Sequence, residues 1–107
     1  MILNKQEFKV MAMLYAANID GNIQSEEVKV MLEKSDFETV EKMEKLFEKM
    51  SDAEVLNCIL ENKAQYTATE ADRLDLLHDL SLIIEADEKC TVMEEQMIRT
   101  MRRVLDL

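Results

Sequence analysis

The sequence predicts an all-α protein, a compact bundle of about six helices. The chain contains no proline and a single glycine, Gly21, whereas a sheet protein of this size needs several tight turns that recruit Gly, Pro and Asn. Glu, Lys, Leu, Met and Ala, which favour helices, are abundant. Apolar residues recur at helical spacing along the chain. The 107 residues suffice for one ordinary domain, so we expect residues 1–107 to form a single helical domain.

Helix starts are marked where Ser, Thr or Asn is followed three residues later by Glu. In this pattern the two side chains satisfy N–H groups that lack a partner in the first helical turn. A segment with helical apolar spacing follows each occurrence. The pattern stands at residues 4–7, 35–38, 51–54, 67–70 and 91–94.

The apolar faces of the helices follow from these starts. Residues 69–86 differ from the other segments because leucine and isoleucine cover most of the circumference, so we expect this helix to be central and buried on most sides. Most of the nine methionines lie on the same stripes, and we interpret them as core residues rather than a peptide groove. The expected faces comprise Phe8, Met11, Ala12, Tyr15 and Ile19; Val28, Met31 and Leu32; Val40, Met43, Leu46, Phe47 and Met50; Val55, Leu56, Ile59 and Leu60; and Met97, Met101, Val104 and Leu105.

The net charge of −10 restricts the partners of the chain. It argues against nucleic acid and anionic membrane surfaces, which Lys and Arg would have to contact. It is compatible with cations, with a basic protein partner, or with a surface that simply keeps the protein soluble. No stretch approaches the ~20 apolar residues of a membrane span, and the N-terminus does not resemble a signal peptide. Because Cys58 and Cys90 are isolated thiols, which fit a reducing compartment, we expect a cytoplasmic protein without direct membrane insertion.

Two similar acidic turns, residues 20–27 and 87–94, align without a gap. Each begins with an Asp just after an apolar helix and places a Glu seven residues later, in the first turn of the next helix. If the turns face each other, four carboxylates meet and repel unless they are protonated or bridged by a cation. Hard divalent ions such as Ca²⁺ and Mg²⁺ prefer such oxygen ligands. The predicted ligands are Asp20, Glu27, Asp87 and Glu94.

Helix chemistry offers an alternative without a metal. The helix dipole and the capping box both favour a Glu in a first turn. These two effects explain much of why Glu27 and Glu94 occupy their positions. Asp20 and Asp87 stand at helix C-terminal ends, where the dipole disfavours anions. The Asp–Glu pair recurs at the same spacing in both turns. This recurrence, more than any single residue, supports the hypothesis that the turns bind a metal ion.

A calcium loop of the EF-hand type does not fit either turn. Aligning Gly21 with the invariant glycine puts Glu27 at the bidentate position but Ala16 at the first ligand position, which needs a carboxylate. The second unit has Ile83 at the first position and Glu88 in place of the glycine. An ion at these turns would therefore have to be held in a different way.

The segment at residues 16–27 and its counterpart at 85–94 and 103–105 resemble the tellurite-resistance TerB-like family. The family pattern is an acidic-glycine turn followed by a Glu, repeated near both ends of an all-helical domain. The family also includes the N-terminal region of a membrane-anchored DnaJ-like co-chaperone. The likeness covers the layout of the whole chain, and the second turn departs from it with Glu88 where glycine is usual.

The resemblance implies a compact helical fold with an acidic surface at the two turns that binds a divalent cation. It also implies a non-catalytic module for a protein partner in a bacterial stress-response or envelope-associated complex. Carried over to this chain, the site residues are the same four carboxylates, with Glu26 and Glu95 as weaker neighbours.

Two alternatives stay open beside this hypothesis. One is a purely structural helical interaction domain without metal, and the weaker one is a metal-dependent hydrolase. His78 is the only imidazole, and no Ser/His/Asp arrangement or phosphate-binding glycine loop occurs. We therefore expect that the protein is not an enzyme.

Overall fold

The computed structural model describes residues 2–18, 25–86, 99 and 102–103. The all-α class predicted from the sequence is confirmed, since these residues form helices and connecting turns. The sixth helix, predicted to end near Leu105, falls largely outside the described residues, although Arg99, Arg102 and Arg103 are helical. Five helices lie within the longer described ranges: α1 (Lys5–Ala17), α2 (Ser25–Lys34), α3 (Phe37–Lys49), α4 (Asp52–Tyr66) and α5 (Glu70–Ala86).

Two predicted capping boxes begin α1 and α4. Asn4 Oδ1 accepts the backbone N–H of Glu7 at 2.8 Å, and Glu7 Oε1 accepts the backbone N–H of Asn4 at 2.9 Å. Ser51 and Glu54 make the same reciprocal pair, both at 3.2 Å. The sequence pattern therefore located these two helix starts correctly.

The start of α3 lies one residue later than the pattern at 35–38 predicts. Asp36, rather than Ser35, is the capping residue, and its carboxylate accepts the backbone N–H of Thr39 at 3.3 Å. The hydroxyl of Thr39 also donates to this carboxylate, at 2.6 Å. A carboxylate satisfies the first turn as well as a hydroxyl does, and an anion is further favoured by the helix dipole.

The start of α5 lies two residues later than the capping pattern at 67–70 predicts. Thr69 accepts the backbone N–H of Asp72 at 3.1 Å, as a capping hydroxyl does. Thr67, the predicted cap, instead ends α4, where its hydroxyl donates to the carbonyl of Lys63 at 2.5 Å. Thr67 and Thr69 are two residues apart and both can cap a helix, so the sequence pattern does not decide which of them begins α5.

Helix α1, and not α5, is the central helix. It packs against each of the other four described helices, and an unbroken run from Val10 to Leu14 is fully buried. Helix α5 leaves Leu74 59% exposed, so its apolar residues do not all face the core. None of the helices in the described part is long and apolar enough to cross a membrane.

The methionines of the described helices are core residues, in agreement with the sequence interpretation. Met11, Met13, Met31 and Met43 have no exposed surface, and Met50 packs against the same core. Met97 and Met101 lie outside the described residues.

Leu3, which precedes α1, is hydrogen-bonded to two polar side chains of α4. Its backbone N–H donates to Asn62 Oδ1 at 2.9 Å, and its carbonyl accepts the hydroxyl of Tyr66. Asn62 is itself buried and donates to the carbonyl of Cys58 at 2.8 Å. Both backbone polar groups of Leu3 are thus satisfied although the residue precedes α1.

Candidate functional site

The structure describes one of the four predicted ligands. Glu27 is the third residue of α2 and is only 3% exposed, while its neighbour Glu26 is exposed. Asp20, Asp87 and Glu94 lie outside the described residues. The gathering of four carboxylates therefore stays a prediction, with Glu27 placed inside the fold.

Burial distinguishes Glu27 from one of the two capping-box glutamates, Glu54, and is shared with the other, Glu7. Removing a carboxylate from water is costly unless it is paired or hydrogen-bonded, and Glu27 does interact within the protein. Glu54, in the capping box of α4, remains exposed, and Glu7, in that of α1, is buried but pairs with Lys42. A box for Glu27 would have Gln24 at the cap, and glutamine is not favoured there. The residues that precede α2 lie outside the described ranges, so the capping explanation of Glu27 stays a prediction.

The buried face of α2 is oriented towards α5. Glu27, Met31 and Lys34 follow one another at spacings of four and three residues, which places them on one side of the helix. Met31 is fully buried, and Lys34 forms an ion pair with Asp79 of α5. Glu27 therefore lies about two turns from this ion pair, on the same side of α2.

Asp79 joins three helices through charged groups. One of its oxygens lies 3.3 Å from Nζ of Lys9 on α1, and the other lies 3.5 Å from Nζ of Lys34 on α2. Lys9 also forms a hydrogen-bonded ion pair with Asp75, one turn earlier on α5. The side chain of Asp79 is 4% exposed, whereas that of Asp75 is 53% exposed. We name Lys9, Lys34, Asp75 and Asp79 the interhelical charge cluster.

The charge cluster positions α2 against the core. Burial lowers the pKa of Lys9, but the hydrogen bond to Asp75 and the charge of Asp79 outweigh that effect and raise it overall. The hydrogen bond from Lys9 in turn lowers the pKa of Asp75. Both shifts favour the charged forms of Lys9 and Asp75 at neutral pH, and the cluster holds the helix that carries Glu27.

Sequence reasoning did not single out Asp79 as an organising residue. Its position carries a recognisable signal, because Leu76, Leu80 and Ile83 share its helix face and are almost completely buried. A carboxylate on such a face needs a partner. The partners could not be identified from the sequence, since Lys9 and Lys34 lie 70 and 45 residues away along the chain.

A third buried carboxylate, Glu7, joins α1 to α3. Nζ of Lys42 donates to Glu7 Oε2 at 2.6 Å, while Oε1 completes the capping box. The hydrogen bond from the Asn4 backbone, followed by that from Lys42, holds the pKa of Glu7 below its usual value of 4.5. The ionised form of Glu7 therefore stabilises the fold.

Acidification is expected to remove this contribution of Glu7. Because its pKa is lower in the folded chain, the contribution is present above the unfolded value and is lost as the pH falls through the folded value. The free energies of unfolding of the parent and of Glu7→Gln should differ most at neutral pH and converge below pH 4.5. Urea midpoints measured across this range test the expectation. A difference that stays constant with pH would contradict it, and Lys42→Gln should give an intermediate dependence.

No grouping of three or more His, Cys, Asp or Glu side chains suited to a metal occurs among the described residues. The interhelical charge cluster does not qualify, because lysine ammonium groups already occupy the space between its carboxylates. A metal site of the predicted kind would therefore have to include the turn residues outside the described ranges.

A shallow depression lies beside the N-terminal half of α5, with a volume of about 330 Å³. Its lining combines the charged Glu70, Arg73 and Arg102 with Leu74 and Leu77. One guanidinium nitrogen of Arg73 donates to the carbonyl of Thr67 at 3.0 Å. This contact gives Arg73 a structural task at the α4–α5 connection.

The nucleophile and base considered in the sequence lie in unsuitable surroundings. Cys58 is buried in α4, and burial raises the pKa of its thiol, which disfavours the reactive thiolate. His78 is exposed on α5. The side-chain amide nitrogen of Asn62 lies 4.0 Å from the sulfur of Cys58, and an amide is not a general base.

Comparison of the chain with protein-family models, with curated proteins and with solved structures found no match.

Proposed function

We propose that this chain is a TerB-like, non-catalytic binding module, comprising residues 1–107, that binds a divalent cation at its two acidic turns. The proposed ligands are Asp20, Glu27, Asp87 and Glu94, and the cation is Ca²⁺ or Mg²⁺. The module serves a protein partner in a bacterial stress-response or envelope-associated complex of the cytoplasm. The family resemblance supplies the biological setting of this proposal.

The burial of Glu27 is the observation that supports the cation site best. A carboxylate in the first turn of a surface helix ordinarily faces water, as Glu26 does. Glu27 instead lies on the side of α2 that packs on α5, the helix that leads directly to Asp87. An inward carboxylate next to the first turn, on a helix whose partner leads to the second turn, supports a cation shared by the two turns.

Calorimetric titration with Ca²⁺, Mg²⁺ and Mn²⁺, together with thermal unfolding, tests the proposal. We expect saturable heat and a cation-dependent stabilisation of about 2.7 kcal/mol when the free cation is about 100 times its Kd. Glu27→Gln and the double variant Asp20→Asn/Asp87→Asn should weaken binding strongly. Glu33→Gln, which removes the same charge from an exposed position on the same helix, should bind like the parent.

The absence of heat and of thermal stabilisation with all three cations would refute the cation site. Equal effects of Glu27→Gln and Glu33→Gln would also count against it, because general charge attraction does not distinguish the two positions. A Glu27 variant that unfolds is recognised by its circular dichroism, and the double variant then decides the question.

A structural interaction domain without metal is the alternative, and the interhelical charge cluster favours it. Lys9 and Lys34 neutralise Asp79 and hold α2 on α5 with protein groups alone. Under this alternative the acidic turns are helix caps, and the partner binds another face. The third option, a metal-dependent hydrolase, receives little support from the surroundings of Cys58 and His78.

A further inference from the structure

A small apolar depression with an acidic rim lies where α1, α2 and α3 meet. Its volume is about 170 Å³, and its lining consists of Leu14, Val28, Phe47, Glu44 and Glu48. Leu14 is fully buried and Phe47 packs against the core, so the apolar part is firmly supported. We name these five residues the acidic-rimmed slot.

The two glutamates of the slot are placed to act together. Glu44 and Glu48 are four residues apart on α3, so their side chains lie on the same side of that helix. Within the described ranges neither forms an ion pair, whereas Glu41 on the same helix pairs with Lys45 at 3.2 Å. The slot thus combines an apolar floor with two carboxylates whose charge no described cation neutralises.

From this combination we infer that the slot is the docking site for a lysine or arginine side chain of a basic partner protein. The aliphatic stem of such a side chain would lie on Val28 and Phe47, which are partly exposed, since long basic side chains bury their stems and keep the charged end polar. The charged end would reach Glu44 and Glu48, where charge-assisted hydrogen bonds form. The aromatic ring of Phe47 offers a further contact for a cation.

The charge of the whole chain complements the same partner. A net charge of −10 attracts basic proteins over a distance and accelerates their encounter. General attraction does not choose a binding position, whereas an apolar floor beneath two carboxylates selects one side chain at one place. The inference does not depend on a cation at the acidic turns, because every residue of the slot lies on α1, α2 or α3.

The test uses a fluorescein-labelled, capped helical peptide with lysines at alternate turns, titrated with the full chain while fluorescence anisotropy is recorded. Glu44→Gln/Glu48→Gln should raise the Kd about fivefold or more, the effect expected from losing two surface ion pairs. Glu33→Gln/Glu38→Gln removes the same charge from exposed positions on α2 and α3 and should change the Kd less than about twofold. Phe47→Leu, which keeps the core filled, should weaken binding to a smaller extent.

Two further arms make the outcome decisive. A peptide with norleucine in place of lysine should fail to bind, which shows that the charged end is needed. Binding of the lysine peptide should persist in a chelator, so failure of the proposed cation site would leave this result unchanged. Equal losses in the two double variants, or no saturable binding of the lysine peptide, would overturn the inference.

Discussion

Replacing Asp79 with alanine is expected to lower the free energy of unfolding by about 2–3 kcal/mol. The variant removes the ion pair between Asp79 and Lys34 and one of the two ion pairs of Lys9. Asp75 remains paired with Lys9. Removing one partner of a fully buried pair costs about 3–5 kcal/mol. The smaller figure applies because the two lysine side chains are partly exposed and can turn towards water.

Urea unfolding at neutral pH measures this effect, and Asp75→Ala is the matched control. Asp75 is on the same helix and pairs with the same lysine, but its side chain is 53% exposed, so its loss should cost no more than about 1 kcal/mol. Equal destabilisation by the two variants would show that burial of Asp79 does not matter. Asp79→Leu should recover part of the loss if packing can replace the charge.

Replacing Phe8 with alanine is expected to destabilise the fold by about 3–5 kcal/mol. Phe8 is 1% exposed, and its ring centre lies 5.3 Å from that of Tyr66, whose hydroxyl holds Leu3. The variant would remove a large buried side chain from the central helix and open a cavity between α1 and α4. It would also loosen Tyr66, so the attachment of Leu3 should weaken together with the core.

Phe37→Ala provides the control for Phe8→Ala. Phe37 begins α3 and is 65% exposed, so the same truncation should change the unfolding free energy by less than about 0.5 kcal/mol. Thermal or urea unfolding followed by circular dichroism distinguishes the two variants. Comparable losses at Phe8 and Phe37 would be inconsistent with the packing described for α1.

Local patterns in the sequence predicted the starts of α1, α3, α4 and α5 to within two residues. The boxes at Asn4 and Ser51 form as predicted. In α3 and α5 a second polar side chain, Asp36 or Thr69, accepts the first-turn N–H instead, so these helices start one and two residues later than the pattern predicts. Ser51 keeps its role although Asp52 follows it, so the pattern alone does not decide which of two neighbouring caps is used. Capping chemistry is local, so its errors are small displacements of a helix start.

The central position of α1 was not predictable by the same means. Its sequence contains Lys9 and Glu7, which resemble the polar face of a surface helix, and both are drawn inward by partners far along the chain. In α5 the run of leucines resembled a fully buried helix, although Leu74 faces outward. Which helix becomes central depends on long-range pairing, which periodicity does not encode.

The candidate site likewise contains residues that the sequence identified and residues that it did not. The acidic repeat singled out Glu27, and its burial agrees with a role beyond the surface, while the other three predicted ligands lie outside the described residues. Asp79 and the acidic-rimmed slot became visible only after the helices were placed together. Both depend on residues that are distant in sequence and close in space.

The interhelical charge cluster also restricts how α2 can move. Sliding a helix by one turn shifts its residues about 5.4 Å, which is more than the 3.5 Å that separates Lys34 from Asp79. An intermediate displacement would leave a buried carboxylate partly unpaired, whereas a flexible apolar contact would tolerate it. The ion pair and the buried Met31 therefore favour the observed register of α2 on α5, and Glu27 keeps its place with that register.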